Sequence, residues 1–110
     1  MAECLWRACE RDGWRFRLLV SGSGLEQLTD VELRSPDGRR WVGTVGTLNA
    51  VEEIMSRYRE TGECLAGTYF WASGFLILRD ADEGAAFDAL EELVRSGEHE
   101  ACFEEVESAD

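Results

Sequence analysis

Cys4-x4-Cys9 and His99-x2-Cys102 place four soft ligands in two short spacings. Structural zinc hooks usually run Cys-x2-Cys or His-x3-His. Neither spacing here has that form, and Glu98 and Glu100 flank the histidine. His99 is the only imidazole, so a thiol–imidazole nucleophile would have to pair it with Cys64 or Cys102. Acidic neighbours raise a thiol pKa and work against the thiolate. No Gly-x-Ser-x-Gly, phosphate-binding glycine loop or zinc-protease helix occurs. Carboxylates are so numerous that any two of them form a pair without meaning. These residues predict no catalytic set, no metal and no cofactor. The cysteines read as small buried hydrophobes.

The acids themselves carry the stronger signal. Residues 80–110 hold twelve Asp and Glu and one basic residue, Arg95, whereas residues 1–79 hold eleven acids against ten arginines. The formal net charge of -12 therefore divides into about -1 and -11. Such a surface repels nucleic acid and anionic lipid and attracts basic partners. Glu83, Asp88, Glu91, Glu92, Glu98, Glu100, Glu104 and Glu105 are the candidate partner-binding residues. Early-helix acids are partly compensated by the helix dipole, the later ones not. The competing reading is a solvated face that only keeps the chain soluble. Lysine is absent, which codon bias in a GC-rich genome explains better than escape from lysine modification or a need for bidentate arginine pairing.

The elements that must position these acids follow from periodicity. Trp14, Phe16, Leu18 and Val20 alternate with Arg15 and Arg17, a strand with one wet side. A first strand around Cys4 to Cys9 precedes it across an Asp12-Gly13 turn. Ser21 to Gly24 is a flexible loop. Val31 and Leu33 alternate with Asp30, Glu32 and Arg34, whose acids fit beside Arg15 and Arg17 across the strands. Ser35-Pro36-Asp37-Gly38 turns the chain into Trp41 to Val45. A helix capped by Thr47 or Asn49 carries Val51, Ile54, Met55 and Tyr58 on one stripe and ends at Gly62. Gly67 to Ala72 and Phe75 to Leu78 read as buried strand, with Ser73-Gly74 a bulge or a tight turn. A second helix begins at Asp80 or Asp82, buries Ala86, Phe87, Leu90, Leu93 and Val94, and is capped by Gly97. Glu100 to Val106 reads as a last strand, with a short helix as the alternative.

These elements predict a single α+β domain over residues 1–110: an antiparallel sheet of five or six strands with two helices packed on one face. The first helix would bridge Val45 to the Tyr69 strand as a right-handed crossover. The start, Met1 to Arg7, lacks the basic region and apolar run of an export signal, and no apolar stretch approaches a membrane span. A cytoplasmic protein with free thiols is the expectation.

In size, charge and fold type the chain resembles the small acidic immunity proteins with which bacteria block basic toxins, often nucleases. It is also similar to phage-encoded acidic inhibitors that mimic nucleic acid. The resemblance implies a non-catalytic protein that occludes a basic protein partner, such as a toxin or nuclease, and it carries over no residue. The alternative is a homodimer or assembly subunit joined through an aromatic sheet face around Tyr69, Phe70 and Trp71, where Tyr and Trp are favoured anchors.

Overall fold

The computed structural model describes residues 5–20 and 28–107. Cys4, and with it the Cys4-x4-Cys9 spacing, lies outside the described residues, as does the Ser21 to Gly24 loop. Strands β1 (Leu5–Arg11) and β2 (Trp14–Val20) form a hairpin. Its two turn residues, Asp12 and Gly13, take φ of 51° and 83°, as a tight primed turn demands. Strands β3 (Thr29–Arg34) and β4 (Arg40–Thr47) form the second hairpin. There the Gly38 amide donates to the Ser35 carbonyl at 3.0 Å.

The sheet runs β1-β2-β3-β4-β5, with β6 also beside β4. One edge of β4 is shared between two short strands. Thr44 to Thr47 pair in parallel with β5 (Phe75–Leu78), and Arg40 to Val42 pair antiparallel with β6 (Glu104–Val106). The other strand pairs are antiparallel.

Alternation sends Phe16, Leu18, Val20, Val31, Leu33, Trp41 and Val45 to one face, where all are buried. Helix α3 (Glu83–Ser96) lays Ala86, Phe87 and Leu90 on them, and Phe103 closes the end after the short α4 (His99–Cys102). Each large side chain removed from water contributes about 1.5–3 kcal/mol. Asp82 starts α3 by accepting from the Gly84 amide at 2.9 Å, and Gly97 ends it at φ 81°. The sequence reading of residues 100–106 as one strand resolves into both of its alternatives, since α4 ends at Cys102 and β6 begins at Glu104.

Helix α1 (Leu48–Thr61) is capped by Thr47, whose Oγ1 accepts from the Ala50 amide at 3.0 Å. Asn49, the other candidate cap, is the second helical residue. The stripe Val51, Ile54, Met55 and Tyr58 is only half-buried, and Ala50 is the one fully buried side chain of the helix.

The reading of Gly67 to Ala72 as buried strand is corrected. No strand forms before Phe75, and Tyr69 and Trp71 are 46% and 73% exposed. Extending β5 backwards in its register would set residues 71–74 against 40–43, where β6 already occupies β4. The crossover from β4 therefore returns to Phe75, not to Tyr69.

The chain reaches that point through α2 (Glu63–Gly67), in which Cys64, Leu65 and Ala66 all take left-handed φ of 51–55°. For non-glycine residues this costs roughly 1–2 kcal/mol each. Leu65 is 73% exposed and so has little packing to lose. Leu65→Gly should therefore stabilise the fold by about 1 kcal/mol, after allowing for the greater freedom of glycine in the unfolded chain. Urea unfolding at equilibrium reads this directly; a loss of stability would show that the turn is not strained.

Candidate partner-binding surface

The register of β1 against β2 sets Arg7, Cys9 and Arg11 on the core face, at the sheet edge beside α3. There the arginines meet the acids of α3. Arg11 Nη1 lies 2.7 Å from Asp88 and 3.2 Å from Glu91, and Arg7 lies 3.9 Å from Glu83. The Asp88 carboxylate, with help from Cys9 and Glu91, holds Arg11 protonated beyond its already high range. Arg95 approaches Glu91 at 3.3 Å and Glu92 at 3.8 Å along the helix.

A second group forms where α4 and β6 meet β4. Arg39 reaches Glu105 with two hydrogen bonds, 2.8 and 2.9 Å, and Glu100 with one of 3.4 Å. Its guanidinium also lies 4.9 Å from the Trp41 ring centroid. Of the eight sequence candidates, Glu83, Asp88, Glu91, Glu92, Glu100 and Glu105 are thus in ion pairs. Glu98 accepts from Ser96 Oγ at 2.9 Å. Glu104 is exposed and has no ion pair among the described residues. The eight do not form one patch. The α3 acids lie over β1, and the α4–β6 acids lie at the other side of the sheet.

Arg39 holds the Glu105 carboxyl below the usual carboxylate range. A lowered folded-state pKa gives stability that is present at neutral pH and lost as pH falls through that lowered value. Arg39→Gln should move the Glu105 midpoint up toward the ordinary value for glutamate. The stability gap between the two proteins should close as the pH falls through the lowered Glu105 value. Carboxyl-carbon NMR titration and acid unfolding check both; an unmoved Glu105 midpoint would show that the contact does not persist in solution.

The open face of the sheet holds residues that the charge count along the chain overlooked. Glu32 binds Arg17 at 3.2 Å on one side and Arg40 at 2.7 and 3.1 Å on the other. Arg17 in turn stacks on the Trp6 indole, 4.3 Å from its centroid. Beside this cross-strand row lies a groove of about 480 Å³, floored by β4 and flanked by Asp30, Trp6, Ser73 and Glu104. The alternation of β3 already set Asp30 and Glu32 on the wet side, but nothing linear in the chain joined them to Trp6 or Glu104.

The candidate thiol and imidazole chemistry is not assembled. His99 is buried edge-on to Trp41 and Trp14, with ring centroids 4.6 and 5.2 Å away, and its Nδ1 has no hydrogen-bond partner among the described residues. Burial first, and Glu98 second, push the Cys102 thiol upward, away from thiolate. Its Sγ faces the Phe75 carbonyl at 3.9 Å. Among the described residues no three His, Cys, Asp or Glu side chains converge as a metal site requires. No helix among them is long and apolar enough to cross a membrane. No protein-family model matches the chain, and no curated protein or solved structure is significantly similar to it.

Proposed function

We propose that this chain is a non-catalytic binding protein of the cytosol whose acidic surface blocks a basic protein, in the manner of a toxin-immunity or nuclease-inhibitor protein. The observation that carries this reading is the charge left after folding. Arg7, Arg11, Arg39 and Arg95 take up part of the carboxylate charge of α3, α4 and β6. Even so, the formal charge remains -12, with Glu98, Glu104 and Glu107 outside any salt bridge among the described residues. The bridged acids are held in place by Arg7 and Arg11 of β1, Arg39 just before β4 and Arg95 of α3, which pre-orders them for a partner and limits the entropy lost on binding. A carboxylate field of this kind steers a basic protein and makes the association salt-sensitive. The test is capture from native cytosol at low salt, elution by a salt gradient, and titration of the recovered protein against purified chain. A stoichiometric basic partner supports the reading; no basic protein recovered at low salt overturns it.

A second reading is favoured by one observation. Leu48, Leu65, Tyr69, Trp71 and Ile77, all from α1 to β5, are large apolar side chains left exposed. A homodimer joined there would cover them. Trp71→Ser should then convert a dimer to a monomer in sedimentation equilibrium, with the melting temperature little changed. A wild-type chain that sediments as a monomer at about 100 μM, a concentration at which a micromolar dimer would be mostly assembled, rules this reading out.

A further inference from the structure

We propose that the groove on the open sheet face is a receptor for one arginine side chain of the partner. This inference rests on the basic-partner reading and gives it an address. Several features separate the groove from a mere gathering of carboxylates. It is a half-open groove, and about 480 Å³ is within the size range of clefts that take a ligand group. Its wall includes the Trp6 indole, 45% exposed, which already takes a guanidinium against its ring in the contact with Arg17. Indole surfaces attract cations through the ring quadrupole, and arginine more often than lysine. Val42 in the floor offers an apolar strip for an aliphatic stem.

The charges decide the sign of the ligand. Glu32 is satisfied by Arg17 and Arg40, and Arg40 by Glu32 and the Glu107 carbonyl at 3.2 Å. Arg40, the only cation in the wall among the described residues, is therefore already paired. Asp30 and Glu104 are exposed and have no salt bridge among the described residues. They stand on strands either side of β4, about 10–12 Å apart by strand spacing and register. The Thr44 hydroxyl lies between them in the register, and Ser73 borders the groove. One carboxylate can meet a guanidinium fork, and the hydroxyls can accept its remaining N–H groups. An anion would be repelled by Asp30 and Glu104 and would have to compete with Glu32 for Arg40. An ammonium would satisfy the charge but not the planar stacking or the fork.

The test uses the isotope-labelled full chain and three small probes: N-acetyl-arginine amide, N-acetyl-lysine amide and the uncharged N-acetyl-citrulline amide. The expected result is a saturable shift of the Trp6 indole N–H, assigned by its loss in Trp6→Phe, and of the Gly43 and Gly74 amides. The dissociation constant for the arginine probe should be about millimolar, as befits one side chain. Lysine should bind about threefold more weakly and citrulline not at all. Asp30→Asn with Glu104→Gln should weaken the arginine probe about tenfold, while Glu92→Gln with Glu98→Gln leaves it unchanged. Equal response to citrulline, shifts confined to α3 and α4, or an unaffected Asp30/Glu104 variant would each overturn the assignment. The two readings fail separately. If a basic partner is captured and the Asp30/Glu104 variant captures it equally well, the groove is wrong and the basic-partner reading stands. If the probe binds as described but no basic partner is captured, the groove stands without its parent.

Discussion

Gly43→Ala is expected to remove about 4 kcal/mol of folding stability. Gly43 is on β4 opposite Val31, so an added Cβ would point into the core face. It would collide with the Phe103 ring and come within 2.6 Å of the Gly74 carbonyl oxygen. The ring can turn; the carbonyl cannot easily, because it accepts from the Thr44 amide at 2.7 Å. Relief therefore means parting β4 from the 73–74 turn or expelling Phe103, which is 4% exposed. Overpacking alone costs about 1–3 kcal/mol, and losing a buried phenylalanine about 3–5. A combined loss of about 4 kcal/mol is a large part of the 5–15 kcal/mol that holds a typical domain. Urea unfolding of Gly43→Ala, Phe103→Ala and the double variant would show it. The double variant should lose less than the two single losses added, since the second change empties the space that the first invades. A Gly43→Ala loss below about 1 kcal/mol would mean that β5, β6 and β4 are not as closely joined as described.

Reversing Glu98 and Glu104 to arginine should weaken capture of a basic partner at least about 100-fold at low salt. The melting temperature should move by no more than two or three degrees, because both side chains are exposed and neither has an ion pair among the described residues. Reversing Asp88 and Glu91 is a different experiment. Both hold Arg11, and Glu91 also meets Arg95, so arginine there places cation against cation where α3 meets β1. That pair of changes should lower stability and lower binding together. Calorimetric titration at several salt concentrations separates the two outcomes. The Glu98/Glu104 variant should lose slope against salt as well as affinity. Unchanged affinity in that variant would remove the acidic α4–β6 end from the binding surface, and loss of its fold would show that these acids are structural.

The hairpins were legible because their turns are chemically explicit. Asp12-Gly13 and Ser35-Pro36-Asp37-Gly38 allow little but reversal, and Arg17 beside Glu32 followed from the alternation of β2 and β3. The two long helices were legible through their stripes and terminal glycines. Residues 67–72 misled because three aromatics together look like buried strand. Nothing local announces that Cys64, Leu65 and Ala66 turn left-handed, or that β6 arrives from more than sixty residues later to take the edge of β4. The acidic surface was legible only as a total. Which acids are neutralised depends on arginines 61 to 80 positions away, such as Arg39 with Glu100 and Arg11 with Glu91. Distance along a chain does not report closeness across a sheet.

The shared edge of β4 also bears on how the chain is made. The two hairpins can close as soon as β4 leaves the ribosome, since their contacts are local. Their cover comes later: Phe87 of α3 follows Val45 by about forty residues, which at ordinary elongation rates takes about 2–8 s. During that interval Phe16, Leu18, Leu33 and Trp41 face water on a nascent sheet whose far edge at β4 is still vacant. Such a surface is a natural client for a ribosome-bound chaperone, and a slow codon placed before α3 would lengthen the very period in which the chain is open to aggregation.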